Sequence, residues 1–175
     1  NGDYRRYRDG VLRESGIYAK GKRNSTFTEY YQDGVTPRKE TPMQQGKIDG
    51  TVKTYFRNGK IEAEKEYKQS VESGRERRFD SKTGEQIFES HYIDGKKDGE
   101  EWEIFEDAST LRSRIIRHYR NGKLDGSYRV ESTRDGKPYI TIEGQYTDGE
   151  KSGQWIEHNY DNNTQTCTWH GEGGA

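Results

Sequence analysis

The chain has little of what normally builds a thick hydrophobic core. It holds three leucines, and Leu, Ile, Val and Phe together make 24 of its 175 residues. Taken alone, that poverty points to disorder. A single cysteine, Cys167, excludes an intramolecular disulfide framework. No apolar run reaches the length of a membrane-spanning helix. The 30 basic and 31 acidic residues leave a net charge of −1. That balance exerts no global pull toward nucleic acid or anionic membrane, and no strong self-repulsion opens the chain. The sequence starts "NGDYRRY", without Met and without a signal-peptide pattern. It reads as a processed or truncated start, which points to the periplasm or cell surface, with cytoplasm as the alternative.

What is present is aromatic and repetitive. There are 13 Tyr, 5 Phe and 3 Trp, and aromatics bury much area per residue. The stretch "YRNGKLDG" at 119–126 is echoed by "YIDGKKDG" at 92–99 and "YTDGEKSG" at 146–153. Aligning the turn residue gives Gly21, Gly46, Ser70, Gly95, Gly122, Gly149 and Gly171, at intervals of 25, 24, 25, 27, 27 and 22 residues. Three places earlier stand Tyr18, Met43, Tyr67, Tyr92, Tyr119 and Tyr146. About six units and a terminal fragment follow. A second turn lies inside most units, as in "YRDG" at 7–10, "YQDG" at 31–34 and "FRNG" at 56–59. "EDAST" at 106–110 and "DNN" at 161–163 take its place in two others. Asn-Gly and Asp-Gly suit type I′ turns, which need positive φ at both central residues.

The segments between turns alternate. In "YITIEGQY", 139–146, Ile140, Ile142, Gly144 and Tyr146 fall on one face, the pattern of a half-buried strand. Four residues before the conserved-position Tyr stand Ala63, Phe88, Ile115 and Ile142. Two residues before it stand Gly16, Ser90 and Gly144, small enough to admit an aromatic from the next strand; Lys65 and Arg117 break that rule. Residues 61–79 have a helix-friendly composition but keep the strand register. The expectation is all-β: an elongated single-layer antiparallel β-meander, a solenoid of tandem hairpins of about 25 residues, forming one repeat domain over 1–175. A lone hairpin is marginal in water, and a copy on each side supplies what it lacks.

This pattern resembles the MORN-repeat family, and more closely the bacterial variant found in antitoxin- and immunity-type proteins. Gly153 and Trp155, and Gly126 and Tyr128, match the opening of its motif. Gly99, Trp102 and Phe105 match with one extra residue. Tyr55 through Lys60 match the inner turn, and Tyr119, Asn121, Gly122, Lys123 and Gly126 the second half. Ser70, the insertion near 106–113 and the first two units depart from it. The resemblance implies a hairpin solenoid acting as a binding or scaffolding surface.

The chemistry-bearing residues point the same way. His91 and His118 share one repeat position, yet no third ligand stands at suitable spacing for metal. Cys167 and His170, three apart on a strand, point to opposite faces, which separates a nucleophile from its base. Glu100, Glu101, Glu103, Glu106 and Asp107 surround Trp102 and read as a solvated rim or a patch for a basic partner. "YRRYR" at 4–8 and "GRERRF" at 74–79 interleave Arg with aromatics as nucleic-acid surfaces do, but the acidic residues elsewhere argue against that use. The sequence therefore reads as a non-enzymatic, cofactor-free, metal-free module that neutralises a toxin or effector by direct binding. A lipid-associated scaffold is the alternative. Tyr55, Arg57, Arg77, Trp102, Glu103, Arg129 and Trp155 are the expected partner-binding residues, being of types that anchor interfaces.

Overall fold

The computed structural model describes residues 1–106, 112–134, 136–159 and 163–171. Within them the regular elements are all β-strands, and the registered pairs are antiparallel. The turn substitutes expected at 107–110 and 161–162, Asp107 of the acidic cluster and the last four residues lie outside them. Contacts group the strands into two compact units, Asn1–Gln86 with Tyr92–Gly95, and Ile87–His91 with Lys96–Ala175.

The first unit contains β1 (Gly2–Arg8), β2 (Val11–Ala19), β3 (Lys22–Arg23), β4 (Thr26–Tyr30), β5 (Pro37–Gln44), β6 (Lys47–Ile48), β7 (Gly50–Tyr55), β8 (Ile61–Lys68) and β9 (Val71–Phe79). β10 (Gln86–Ile93) contributes residues to both. The second unit continues with β11 (Lys96–Lys97), β12 (Gly99–Glu106), β13 (Arg112–Arg120), β14 (Lys123–Arg134), β15 (Lys137–Thr147), β16 (Glu150–Asn159) and β17 (Thr164–His170). In each unit the strands pair with their chain neighbours, which is a single-layer meander. The segment 61–79 is two strands, as its register implies.

The repeated turns are what the sequence asks for. Asp94, Asn121 and Asp148 have φ of 49°, 51° and 53°, and the glycines after them are also positive. Ser70 keeps the same left-handed geometry at φ 71°. Its side chain compensates: Ser70 Oγ accepts the Ile48 N–H at 2.9 Å while its own N–H donates to Ile48 O at 2.7 Å. The second bond recurs in four further copies. The turn amides of Gly46, Gly95, Gly122 and Gly149 donate to the carbonyls of Arg23, Glu72, Lys97 and Leu124 at 2.7–2.9 Å. Each hairpin tip is thus tied to the backbone two residues past the preceding tip.

Most of the core lies on one face of each meander and centres on a single repeat slot, six residues after the turn residue; Ile116, 8% exposed, is buried on the other face. Phe27, Val52, Tyr128 and Trp155 fill it in four copies, and Glu76 and Glu101 in the other two. Phe27, 2% exposed, lies over Gly16; Trp155, 6% exposed, lies over Gly144. A Cβ on Gly16 would stand 2.7 Å from the Phe27 ring, and one on Gly144 2.3 Å from the indole. These small residues are required by close approach. Tyr4 and Tyr18 complete the first aromatic cluster, and Tyr128 and Tyr146 the second, with centroid separations of 5.2–5.9 Å, the range of favourable ring pairs.

Where the slot holds glutamate, ions replace rings. Glu101 is 1% exposed and meets Lys97, Arg117 Nε at 2.8 Å and the Tyr119 hydroxyl at 3.4 Å. Glu76 meets Lys65 at 3.1 Å and accepts from the Tyr92 hydroxyl at 3.0 Å. Burial alone would raise the Glu76 carboxyl, but the hydrogen bonds and charge of Lys65 hold it below the usual carboxylate range. Glu14, in the slot of Ala63 and Phe88, is buried against Arg23 at 2.9 Å and Arg6 at 3.3 Å. The expected solvated rim around Trp102 is therefore corrected at Glu101: strand alternation turns it inward, while Glu100 faces the other way.

Candidate protein-binding face

The opposite face of each meander carries no aromatic cluster among the described residues. In the first unit its central row runs Ser15, Thr28, Glu40, Lys53, Glu64 and Arg77, neighbours across successive strands. Lys53 and Arg77 flank Glu64 at 3.5 and 2.8 Å. The Tyr55 hydroxyl donates to Glu40 at 2.6 Å; burial and that carboxylate push the phenol up to about 12. In the second unit the row runs Trp102, Ile116, Arg129, Glu143, Ile156 and Cys167. The Arg114 guanidinium lies 4.4 Å over the Trp102 ring, and Arg129 pairs with Glu131 at 2.9 Å.

A cleft opens on this face in each unit. In the second unit it has a volume of about 460 Å³. Ile116 and Ile156 give it apolar walls, and Arg129, Glu143, His118 and Gln145 give it polar ones. His118 Nδ1 lies 3.0 Å from Ser127 Oγ and 3.3 Å from the Ser127 carbonyl, with Nε2 3.7 Å from Glu100. His158 reaches Glu143 at 3.1 Å. His91 repeats the geometry one copy earlier, its Nδ1 3.2 Å from the Glu100 carbonyl. These imidazoles tie adjacent strands together. Among the described residues no three His, Cys, Asp or Glu side chains converge as metal ligands. Cys167, opposite Ile156, and His170, against the Trp155 ring, lie on opposite faces as strand parity requires. In the first unit the cleft measures about 540 Å³ and is lined by Arg5, Tyr7, Leu12, Ile17 and Tyr30.

Four of the seven sequence-selected residues, Tyr55, Arg77, Trp102 and Arg129, lie on this face. Arg57 sits in an inner turn, 5.5 Å over the Tyr31 ring. Glu103 is on the core side, paired with Arg117 at 3.1 Å. Trp155 is a correction: buried over Gly144, with its indole N–H donating to the Gln145 carbonyl at 3.1 Å, it offers no surface to a partner. The sequence pointed to His118 only as a metal candidate and to Arg5 and Tyr7 only within the "YRRYR" cluster, and it did not single out Gln145 or Ile17. Parity would have found them, since each stands an odd number of residues from a core position on its own strand. No protein-family model matches the chain, and no curated protein matches it.

Proposed function

We propose that the chain is a protein-binding repeat module of the immunity or antitoxin type, which neutralises a toxin or secreted effector by covering it. One observation carries this reading. In both units the face away from the aromatic core holds a cleft with apolar walls and a mixed-charge rim. Interfaces that bind tightly combine apolar anchors with a polar rim and gain selectivity from charge complementarity. Trp102, held flat beneath Arg114, and Arg129 beside the second cleft are residue types that concentrate binding energy. The test is a co-expression and titration series with the toxin encoded beside this chain. A stoichiometric complex that abolishes toxicity supports the reading, and Arg129→Glu should weaken that complex at least about tenfold, the cost of a typical hot spot. Tight binding to anionic vesicles, with no inhibition of the toxin, would favour the scaffold alternative instead.

A further inference from the structure

We infer that the cleft of the first unit is a docking site for an acidic segment of a protein partner, one that presents a carboxylate beside an aromatic or aliphatic side chain. The inference rests on the binding-module reading and names the partner's chemistry at a place that reading did not use. The cleft lies between β1 and β2 and reaches Tyr30 of β4. Tyr7 and Ile17 on its walls are large, apolar and open, 56% and 47% exposed. Leu12 continues the apolar lining. Arg5 stands directly across from Ser15, between them in register.

The state of the arginines decides the kind of partner. Of the "YRRYR" cluster, Arg6 is committed to the buried Glu14 and Arg8 lies beside Asp9. Nearby, Arg23 also serves Glu14, Arg13 donates to the Tyr31 carbonyl, and Arg38 pairs with Glu29. Among the described residues, Arg5 has no ion pair or hydrogen-bond partner. A nucleic-acid track needs several uncommitted cations spaced along a phosphate backbone. Here one guanidinium is set among apolar walls, with Asp3 at the rim. That combination offers a phosphate backbone no track of cations and accepts a single carboxylate, with its neighbouring side chain laid against Tyr7 and Ile17. The surrounding field agrees. The first unit carries 19 basic and 15 acidic side chains, a net +4, and the second 11 and 16, a net −5, which together give the −1 of the chain.

The probe is a fluorescein-labelled random copolymer of glutamate and tyrosine, titrated with the full chain by fluorescence anisotropy at about 0.15 M salt. Single-stranded poly(U) RNA serves as the competitor. The expected result is saturable binding that Arg5→Glu weakens at least about tenfold and Ile17→Asp about fivefold, while Arg8→Glu, outside the cleft, changes it less than about twofold. All three side chains are exposed, so each variant should keep the parent circular dichroism spectrum. Equal losses in Arg5→Glu and Arg8→Glu would overturn the site, because they would mean diffuse charge attraction. Displacement of the copolymer by poly(U) at lower concentration would overturn the choice of a protein partner. The assay needs no natural partner. Arg5-dependent copolymer binding alongside a failed toxin titration would sink the functional reading and leave this chemistry standing; the reverse pattern would sink this inference alone.

Discussion

Trp155 and Glu101 occupy the same place in two copies of one repeat, and the second unit buries them by opposite means. Trp155 fills its site with ring area over a bare glycine. Glu101 fills it with a carboxylate held by Lys97 and Arg117. The backbone frame is common to both, with the same positive-φ turn and the same tip-to-backbone bond. The difference shows that the frame sets which position is buried, and the cross-strand neighbour sets what can be buried there. Gly144 leaves room for an indole; Ser90, in the equivalent place beside Glu101, is small as well but faces a carboxylate, because Arg117 on the next strand and Lys97 call for an anion there.

The sharpest way to break this comparison is to delete the ionic member alone. Glu101→Ala takes the carboxylate from Lys97 and leaves Arg117 with Glu103 alone, and should destabilise by up to about 3–5 kcal/mol. Trp155→Ala should cost a similar amount, about 3–5 kcal/mol, through lost burial and the cavity left behind. Chemical denaturation of both variants would show whether rings and ions are equal partners; a loss below about 1 kcal/mol for Glu101→Ala would mean that water enters and solvates its neighbours. Crowding the aromatic site comes next. Gly144→Ala places a Cβ into the indole and should cost about 1–3 kcal/mol, measured as a shift in the denaturation midpoint at constant slope.

Converting one fill into the other should do less. Lys65→Thr with Glu76→Val copies the neighbouring Thr41 and Val52; it removes the pair but also takes Lys65 from Glu72 and the acceptor from the Tyr92 hydroxyl, and should cost no more than about 2 kcal/mol. The smallest effect is electrostatic. Burial and the Glu76 carboxylate push the Tyr92 phenol from 10.0 up to about 12. A pKa raised by folding gives stability that is complete below the unfolded value and lost as pH rises through the folded one. That contribution should fade between about pH 10 and pH 12, and Tyr92→Phe should remove a late component from the tyrosinate absorbance titration. The lowered Glu76 carboxyl works at the other end of the scale, with its contribution present above the ordinary carboxylate range and fading as acid is added.

Strand, turn and period were readable in the sequence because they depend on local chemistry. At 94–95, 121–122 and 148–149 the Asn-Gly or Asp-Gly pair takes positive φ at both residues, as expected, whereas in the inner turns at 33–34 and 58–59 the glycine alone does; alternation fixes which side chains share a face. The small residue before Tyr146 also foretold an aromatic lying across it, as Trp155 does over Gly144. The buried glutamates were not legible in the same way. Their burial depends on cations from neighbouring strands, and composition cannot separate such a carboxylate from a solvated one. Glu101 could have been recognised only by lining it up with Phe27 and Trp155. The candidate face was legible in residue type more than in position: Arg129 and Trp102 were found, while Arg5 was hidden within a cluster whose other members are committed to acids.

The tip-to-backbone bonds also say where this chain can grow. In each unit the turn amides of Gly46, Ser70 and Gly95, or of Gly122 and Gly149, are bound to a carbonyl of the preceding copy, so extra residues there would disrupt two hairpins together. The inner turns are linked to their neighbours by side chains, such as Asn58 Nδ2 to the Ser81 carbonyl at 3.2 Å. Lengthening and grafting should be tolerated at the inner turns alone, which makes them the natural attachment points for a foreign loop.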